Sequence, residues 1–231
     1  MQHNAVTAVI FDVDGTLIDS VDFHARAWAE AFAKFGHRVR FDRVRSQIGK
    51  GGDNLMPVFL DERQIERFGD DLEAFRGDLF KKHYLKLLRP FAGVRALFER
   101  MIADDIKVAL ASSAKPDELQ KYKRIAEIED LLDAETSSED AGVSKPAPDI
   151  FQAALKQLGH VQHKRVLVFG DTPYDAEAAV RADLRSAGVL CGGFSSRSLR
   201  AAGCSAVYRS PSNILVNYDA VFAPGRKTSS A

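Results

Sequence analysis

Apolar and polar positions alternate along this chain in two different rhythms. Ala8-Val9-Ile10-Phe11 is an unbroken apolar run that meets two acids and a glycine, Asp12-Val13-Asp14-Gly15. Such a run, bounded by a turn signal, predicts a buried strand. From Val21 the spacing becomes helical: Val21, Ala25, Trp28, Phe32 and Phe35 recur on one face. Asp19 or Ser20 is placed to cap that helix, and Gly36 to stop it. Further helical stretches are predicted over 41–48, over 54–60 and over 71–88, the last being the longest. Pro57 restricts the second of these to a turn or two. No strand pattern falls between Asp19 and Leu88.

At Pro90-Phe91-Ala92-Gly93 the rhythm changes to short apolar strands between amphipathic helices. Strands are predicted over 107–111, 134–137, 166–169, 186–190 and 206–208. Helices are predicted over 94–103, from 116 onward, over 148–158 and over 174–182. This alternation argues a parallel sheet with helices on both faces. The expected fold is therefore α/β, with a Rossmann-like core assembled from 1–16 and 90–231. Residues 17–89 form a helical cap domain inserted after the first strand, above its carboxyl end.

Composition narrows the function classes. The chain has 231 residues, 45% hydrophobic and 28% charged, with Lys plus Arg equal to Asp plus Glu at 32 each. A zero net charge offers no general attraction to nucleic acid or to an anionic membrane. No stretch approaches the ~20 apolar residues of a membrane span, and the opening residues read as a strand rather than a leader. Two scattered cysteines, Cys191 and Cys204, fit a reducing, cytoplasmic setting. The small, polar tail from Pro224 to Ala231 is expected to fray.

The chemistry collects at strand ends. Asp12 and Asp14 follow the first strand on the same side, and two like charges so close require a cation, a shared proton, or both. Ser112 and Ser113 end the second predicted strand. Lys145 lies in Gly142-Val143-Ser144-Lys145-Pro146-Ala147-Pro148-Asp149, and Asp171 and Asp175 in Gly170-Asp171-Thr172-Pro173-Tyr174-Asp175. If these strands are neighbours, their ends converge on one crevice, where open α/β sheets bind ligands. Several carboxylates together make the hard oxygen site that Mg²⁺ prefers. One carboxylate can attack phosphorus and another can move protons, while Lys145 and the Ser112 hydroxyl bind the transferring oxygens.

The set DVDGT, a strand ending in Ser, KPAPDIF and GDTPYD resembles the haloacid dehalogenase superfamily of phosphatases and phosphomutases. The resemblance runs from Val9 to about Tyr208. It is to the branch with a helical cap after the first strand, which includes phosphoglycolate phosphatase and beta-phosphoglucomutase. It implies Asp12 as nucleophile and magnesium ligand, and Asp14 as general acid/base with its main-chain carbonyl toward the metal. It implies Ser112 as the phosphate-binding hydroxyl with Ser113 beside it, and Lys145 as the neutralising cation. Asp171 becomes a direct metal ligand and Asp175 a supporting one. Members that cleave carbon–halogen bonds lack an acid two residues after the nucleophile, so Asp14 disfavours dehalogenation.

In the cap, Asp22-Phe23-His24-Ala25-Arg26-Ala27-Trp28 is similar to the first cap helix of beta-phosphoglucomutase. It makes His24 a substrate-contacting residue, while Trp28 reads as cap core. Gly49-Lys50-Gly51-Gly52-Asp53 is not a P-loop, since GxxxxGK[ST] is absent. The family often contacts substrate here, which assigns Lys50 to binding and leaves Arg45 aside; Lys115 reads as solvated. His160 and His163 read as an exposed loop pair rather than a metal site, and His3, His37 and His83 form no constellation. Two departures from the family pattern stand out: Ala182-Asp183 where Ala-Gly is common, and Gly142-Val143-Ser144 before Lys145.

The expected activity is Mg²⁺-dependent hydrolysis of a small phosphorylated metabolite through an aspartyl-phosphate. A phosphosugar mutase of the beta-phosphoglucomutase type is the alternative, and a non-catalytic metabolite-binding protein on this fold is a third. The expected partner is that metabolite, with no nucleic acid and no membrane, and the chain is expected to be a monomer or weak dimer.

Overall fold

Six strands build one parallel sheet: β1 (Ala8–Phe11), β2 (Lys107–Ala111), β3 (Ala134–Thr136), β4 (Val166–Gly170), β5 (Arg185–Val189) and β6 (Ala206–Tyr208). The computed structural model describes residues 5–222; His3 and the polar tail from Pro224 lie outside the described residues. Strand order is β3-β2-β1-β4-β5-β6, so β1 is central and chain order reverses across it. That reversal is the switch point where α/β sheets open a crevice at the carboxyl ends of their strands.

Alternation decides what each strand residue buries. Val9, Phe11, Val108, Leu110, Leu167 and Phe169 join one apolar cluster, while Ala8, Ile10, Ala109, Ala111, Val166 and Val168 join another on the opposite face. Both faces are covered, which is why β1 reads as continuously apolar. Phe11 stacks between Phe98 and Phe169, with centroids at 5.0 and 5.2 Å. Each such pair adds about 0.5–1.5 kcal/mol beyond area burial. The strand that carries the acids is thus anchored from both sides.

Between β1 and β2 the chain forms α1 (Val21–Lys34), α2 (Phe41–Arg45), α3 (Gly52–Leu55) and α4 (Glu62–Leu79). Val21, Ala25, Trp28, Phe32, Val44, Ile48, Leu55 and Leu72 from this insertion bury one another in a cluster of their own. The two segments that enter and leave it run side by side. Asp19 N–H donates to Arg89 O, and Phe91 N–H to Leu17 O, both at 2.9 Å. Leu17, Ile18, Leu85 and Leu88 pack into the main core, fixing the base of the insertion.

The remaining helices are α5 (Val94–Ala103), α6 (Pro116–Ala126), α7 (Asp149–Leu158), α8 (Pro173–Arg181), α9 (Ser196–Ala201), α10 (Pro211–Val216) and α11 (Tyr218–Phe222). Helices α5, α6, α10 and α11 cover one face of the sheet, and α7 and α8 the other. The last three were not expected, being too short to display a helical period. The long cap helix starts at Glu62 rather than at Asp71. Asp61 caps it, accepting the Gln64 N–H at 2.9 Å while Gln64 Oε1 accepts the Asp61 N–H at 3.0 Å. Its charged first turns hid that start. It also ends sooner, passing into a wide turn over Phe80–Tyr84 and a tight one over Leu85–Leu87. Among the described residues no helix is long and apolar enough to cross a membrane.

Asp183, one of the two departures, has φ +56°, and the Leu184 N–H reaches back to Ala179 O at 2.9 Å to close α8. This is the left-handed helix stop that glycine adopts without steric cost. Asp183 is exposed. Asp183→Gly is therefore expected to stabilise the fold by about 0.5–1 kcal/mol, read as a higher urea midpoint at unchanged slope.

Candidate active site

At the carboxyl end of β1 the chain turns through Gly15, at φ +79°, where a Cβ would lie 2.5 Å from Asp171 Oδ2. Only glycine lets the first turn approach the end of β4 so closely. Asp12, Asp171 and Asp175 meet there, each buried, with one carboxylate oxygen apiece all within 4.8 Å of one another. Lys145 reaches in from the loop before α7. Its Nζ lies 2.6 Å from Asp12 Oδ1, 2.8 Å from Asp175 Oδ1 and 3.2 Å from Ala111 O. Lys145 is 1% exposed, so its charge acts in a dry setting where electrostatic interactions are strong. Thr16 ties the two halves: its hydroxyl lies 3.0 Å from Asp12 Oδ2 and 3.1 Å from Asp171 Oδ1.

The charge balance of this cluster is incomplete. Burial pushes the Asp12 carboxyl up to about 7, with Lys145 opposing and Asp175 adding to the rise. Burial likewise lifts Asp171 well above the carboxylate range, and the charges of Asp12 and Asp175 lift it further. Burial alone would lower the Lys145 ammonium, but Asp12 and Asp175 more than offset this and hold it above its ordinary value. Among the described residues Asp171 Oδ2, which is buried, has no hydrogen-bond partner. An unpartnered carboxylate oxygen among crowded acids suits a divalent cation with hard oxygen ligands.

The carboxylate of Asp14, whose main-chain carbonyl is the group expected toward the metal, is placed apart from the three clustered acids. Its Oδ1 accepts the Ser20 hydroxyl at 2.5 Å and lies 2.9 Å from His24 Nε2. Burial works to raise Asp14, but the neighbouring His24 and the Ser20 hydroxyl outweigh it and hold the carboxyl below its usual range. Ser20 stands at the start of α1 yet makes no capping bond, because its hydroxyl serves Asp14 instead. His24 is buried, stacked on Phe80 with centroids 4.0 Å apart, and its Nε2 lies 3.2 Å from the Tyr122 hydroxyl. Helix α1 thus addresses Asp14 directly.

Above these groups lies a crevice of about 320 Å³, lined by Asp12, Asp14 and His24 and, on the core side, by Ser113, Ala114 and Lys115. Ser112 is fully buried beneath them, its Oγ accepting the Ala114 N–H at 3.0 Å. The glycine turn brings Lys50 to the wall, where its Nζ lies 2.7 Å from Gln47 Oε1 and 5.1 Å from the Tyr174 ring centroid. Trp28 packs in the cap core and also lines the crevice, with the Arg76 guanidinium 5.1 Å from its ring centroid. Arg45 pairs with Asp22 at 2.6 Å. His160 and His163 are exposed, and Cys191 and Cys204 are unbridged.

Several residues of the site carried no role in the sequence. Thr16 was visible inside DVDGT, as a hydroxyl directly after the turn glycine. Tyr122, Arg76, Glu73 and Glu118 had no such signal, because only the packing of α4 and α6 against the crevice brings them in.

The haloacid dehalogenase-like hydrolase family model matches residues 6–183. A phosphorylated carbohydrates phosphatase of Thermotoga maritima is 30% identical over 212 residues, spanning 90% of this chain and 96% of that one. A phosphoglycolate phosphatase of Aquifex aeolicus is 28% identical over 189 residues, spanning 80% and 84%. Among solved structures, a hydrolase from Pseudomonas syringae superposes with a TM-score of 0.82 at 27% identity, covering 93% of this chain and 99% of that one.

Proposed function

The chain belongs to the haloacid dehalogenase-like hydrolases, and we propose that it hydrolyses a small phosphorylated metabolite, with Mg²⁺, through an aspartyl-phosphate on Asp12. Family membership and phosphatases among its relatives make it a phosphoric monoester hydrolase. One observation carries the finer reading. Asp12 sits between a fixed ammonium 2.6 Å away and two further buried acids, one with an unpartnered oxygen among the described residues.

Asp12, Asp171 and Asp175 would hold the ion, together with the main-chain carbonyl of Asp14. Bound there, Mg²⁺ supplies positive charge that neutralises the acids and polarises the phosphoryl group. Lys145 then restrains the Asp12 oxygen that does not attack and offsets charge on the transferring oxygens. Ser112 and Ser113, at the end of β2, offer hydroxyls to the same oxygens. Asp12 attacks phosphorus, the ester bond breaks, and Asp14 gives its proton to the leaving oxygen. In the second half Asp14 takes a proton from water, which attacks the aspartyl-phosphate and releases phosphate. Asp14 is held low in the free site, which suits the second half. The negative charge of an incoming phosphate would raise it for the first.

The cap domain, formed by α1 to α4, covers the crevice and selects the substrate. Lys50, Arg76 and Lys115 offer donors there, and Glu73 and Glu118 offer acceptors, a mixture suited to a polyhydroxylated phosphate ester. Two unbridged thiols support a reducing, cytoplasmic setting.

A panel of sugar phosphates, phosphoglycolate and other esters, assayed for phosphate release with Mg²⁺ or with chelator, tests this reading. Release should require Mg²⁺, and Asp171→Asn should lower it at least about a hundredfold. Undiminished release in chelator would contradict the metal assignment. Isomerisation of a sugar phosphate, dependent on a bisphosphate and without net release, would mark a mutase instead.

A further inference from the structure

The cap touches the core at a place that the reaction steps above do not use. The glycine turn descends between the loop that carries Lys145 and the loop that follows Asp171. Asn54 Nδ2 donates to the main-chain carbonyls of Ser144 at 3.2 Å and of Lys145 at 3.3 Å. Asp53 Oδ2 accepts the Ser144 N–H at 3.3 Å. Gly51 presses on the same residue, since a Cβ there would lie 2.0 Å from Ser144 Oγ. On the other side, a Cβ on Gly49 would lie 2.5 Å from Thr172 Cγ2.

The Lys145 loop needs this support. Pro146 follows Lys145 and has no N–H, so the peptide between them cannot donate a bond. The supports from the core fall on its neighbours. Arg181 donates to Pro146 O at 2.9 Å, and Asp149 Oδ2 accepts the Val143 N–H at 3.1 Å. Asn54 holds the Lys145 carbonyl itself. The Lys145 side chain is then a long flexible stem that must deliver its ammonium between Asp12 and Asp175. A displaced main chain displaces that charge.

We propose that Asn54 is a positioning residue for Lys145. By donating to the Ser144 and Lys145 carbonyls it fixes the loop, so the ammonium stands against Asp12 and Asp175 while the cap turn is seated. The catalytic charge is thereby complete only when the crevice is covered. The consequence for turnover rests on the phosphatase reading above; the placement of Lys145 does not.

The test separates the two. Asn54→Asp keeps the size and removes the donor, and Asn54→Ala removes the side chain. Neither change falls in the apolar core, since Asn54 is half-buried and belongs to none of its clusters. Each variant and the parent are treated with acetic anhydride, and acetylation of Lys145 is followed by peptide mass spectrometry. Lys123, 7% exposed and 2.5 Å from Glu135, serves as the internal reference. Lys145 should be protected in the parent and acetylated at least about tenfold faster in both variants, with Lys123 and the melting temperature unchanged. On a hydrolysed phosphate ester, kcat should fall about tenfold to a hundredfold with KM within about twofold. Lys145 that stays protected in both variants overturns the proposal, even if kcat has fallen. Unprotected Lys145 in a protein that hydrolyses no ester upholds the positioning role and removes only the phosphatase reading.

Discussion

Asp12→Asn should abolish turnover, by about 10⁴-fold or more, the scale seen when a covalent nucleophile is removed. The amide keeps the size, and its oxygen can face Lys145 while its NH2 donates to the Thr16 hydroxyl oxygen, so the site's shape survives. It no longer carries the charge that attacks phosphorus. The variant should also be more stable than the parent without metal, because burial and Asp175 disfavour the Asp12 charge. Single-turnover phosphate release and a thermal melt in chelator check both halves. A variant that retained full turnover would remove Asp12 from the chemistry.

Lys145→Met should have the second largest effect, and it should show in stability as well as rate. The thioether fills the volume of the stem, whose Nζ lies 5.3 Å from the Phe151 ring centroid, so an apolar group there has an aromatic neighbour. What is lost is the charge that compensates Asp12 and Asp175. Stripping one member from a buried ion pair costs about 3–5 kcal/mol, because the partner charge stays in a dry site. The pH dependence has a definite sign. Asp12 is already raised by burial in the parent and rises further without the ammonium. A carboxyl whose folded pKa is raised destabilises the fold fully above that pKa, and the penalty shrinks as pH falls through it, vanishing only below the ordinary carboxylate range. The deficit of Lys145→Met should therefore be larger at pH 8 than at pH 5. Urea melts at several pH values, in chelator, measure this directly; an equal deficit at pH 8 and pH 5 would speak against it.

Much of this was legible in the residues, for a physical reason. A parallel sheet buried on both faces needs continuous apolar strands, and these are short, distinct and bounded by glycine and acids. β1, β2, α5 and β6 accordingly fall where the pattern places them. The acids and Lys145 are legible because chemistry at a switch point needs them directly after strands. A hydroxyl or acid before a helix signals a cap, so Asp19 or Ser20 was legible as one, but nothing local reveals the competing pull of Asp14 on Ser20 six residues on. The start of α4 was missed because a capping box with polar first turns carries little apolar period. Tyr122 and Arg76 stayed hidden for a deeper reason. Packing of distant elements brings Arg76 to the crevice and Tyr122 to His24, 98 residues before it. That kind of juxtaposition has no sequence signature.

The covalent step on Asp12 is the central claim, and it can be trapped. Turnover of a hydrolysed ester with Mg²⁺ is quenched in the steady state, and the mixture is reduced with borohydride. An acyl phosphate at Asp12 is then converted to homoserine, which peptide mass spectrometry locates. Homoserine at residue 12, dependent on substrate and absent from Asp12→Asn, is the expected result. An enzyme in full turnover with residue 12 unmodified, or with the modification at Asp14, Asp171 or Asp175, would contradict it.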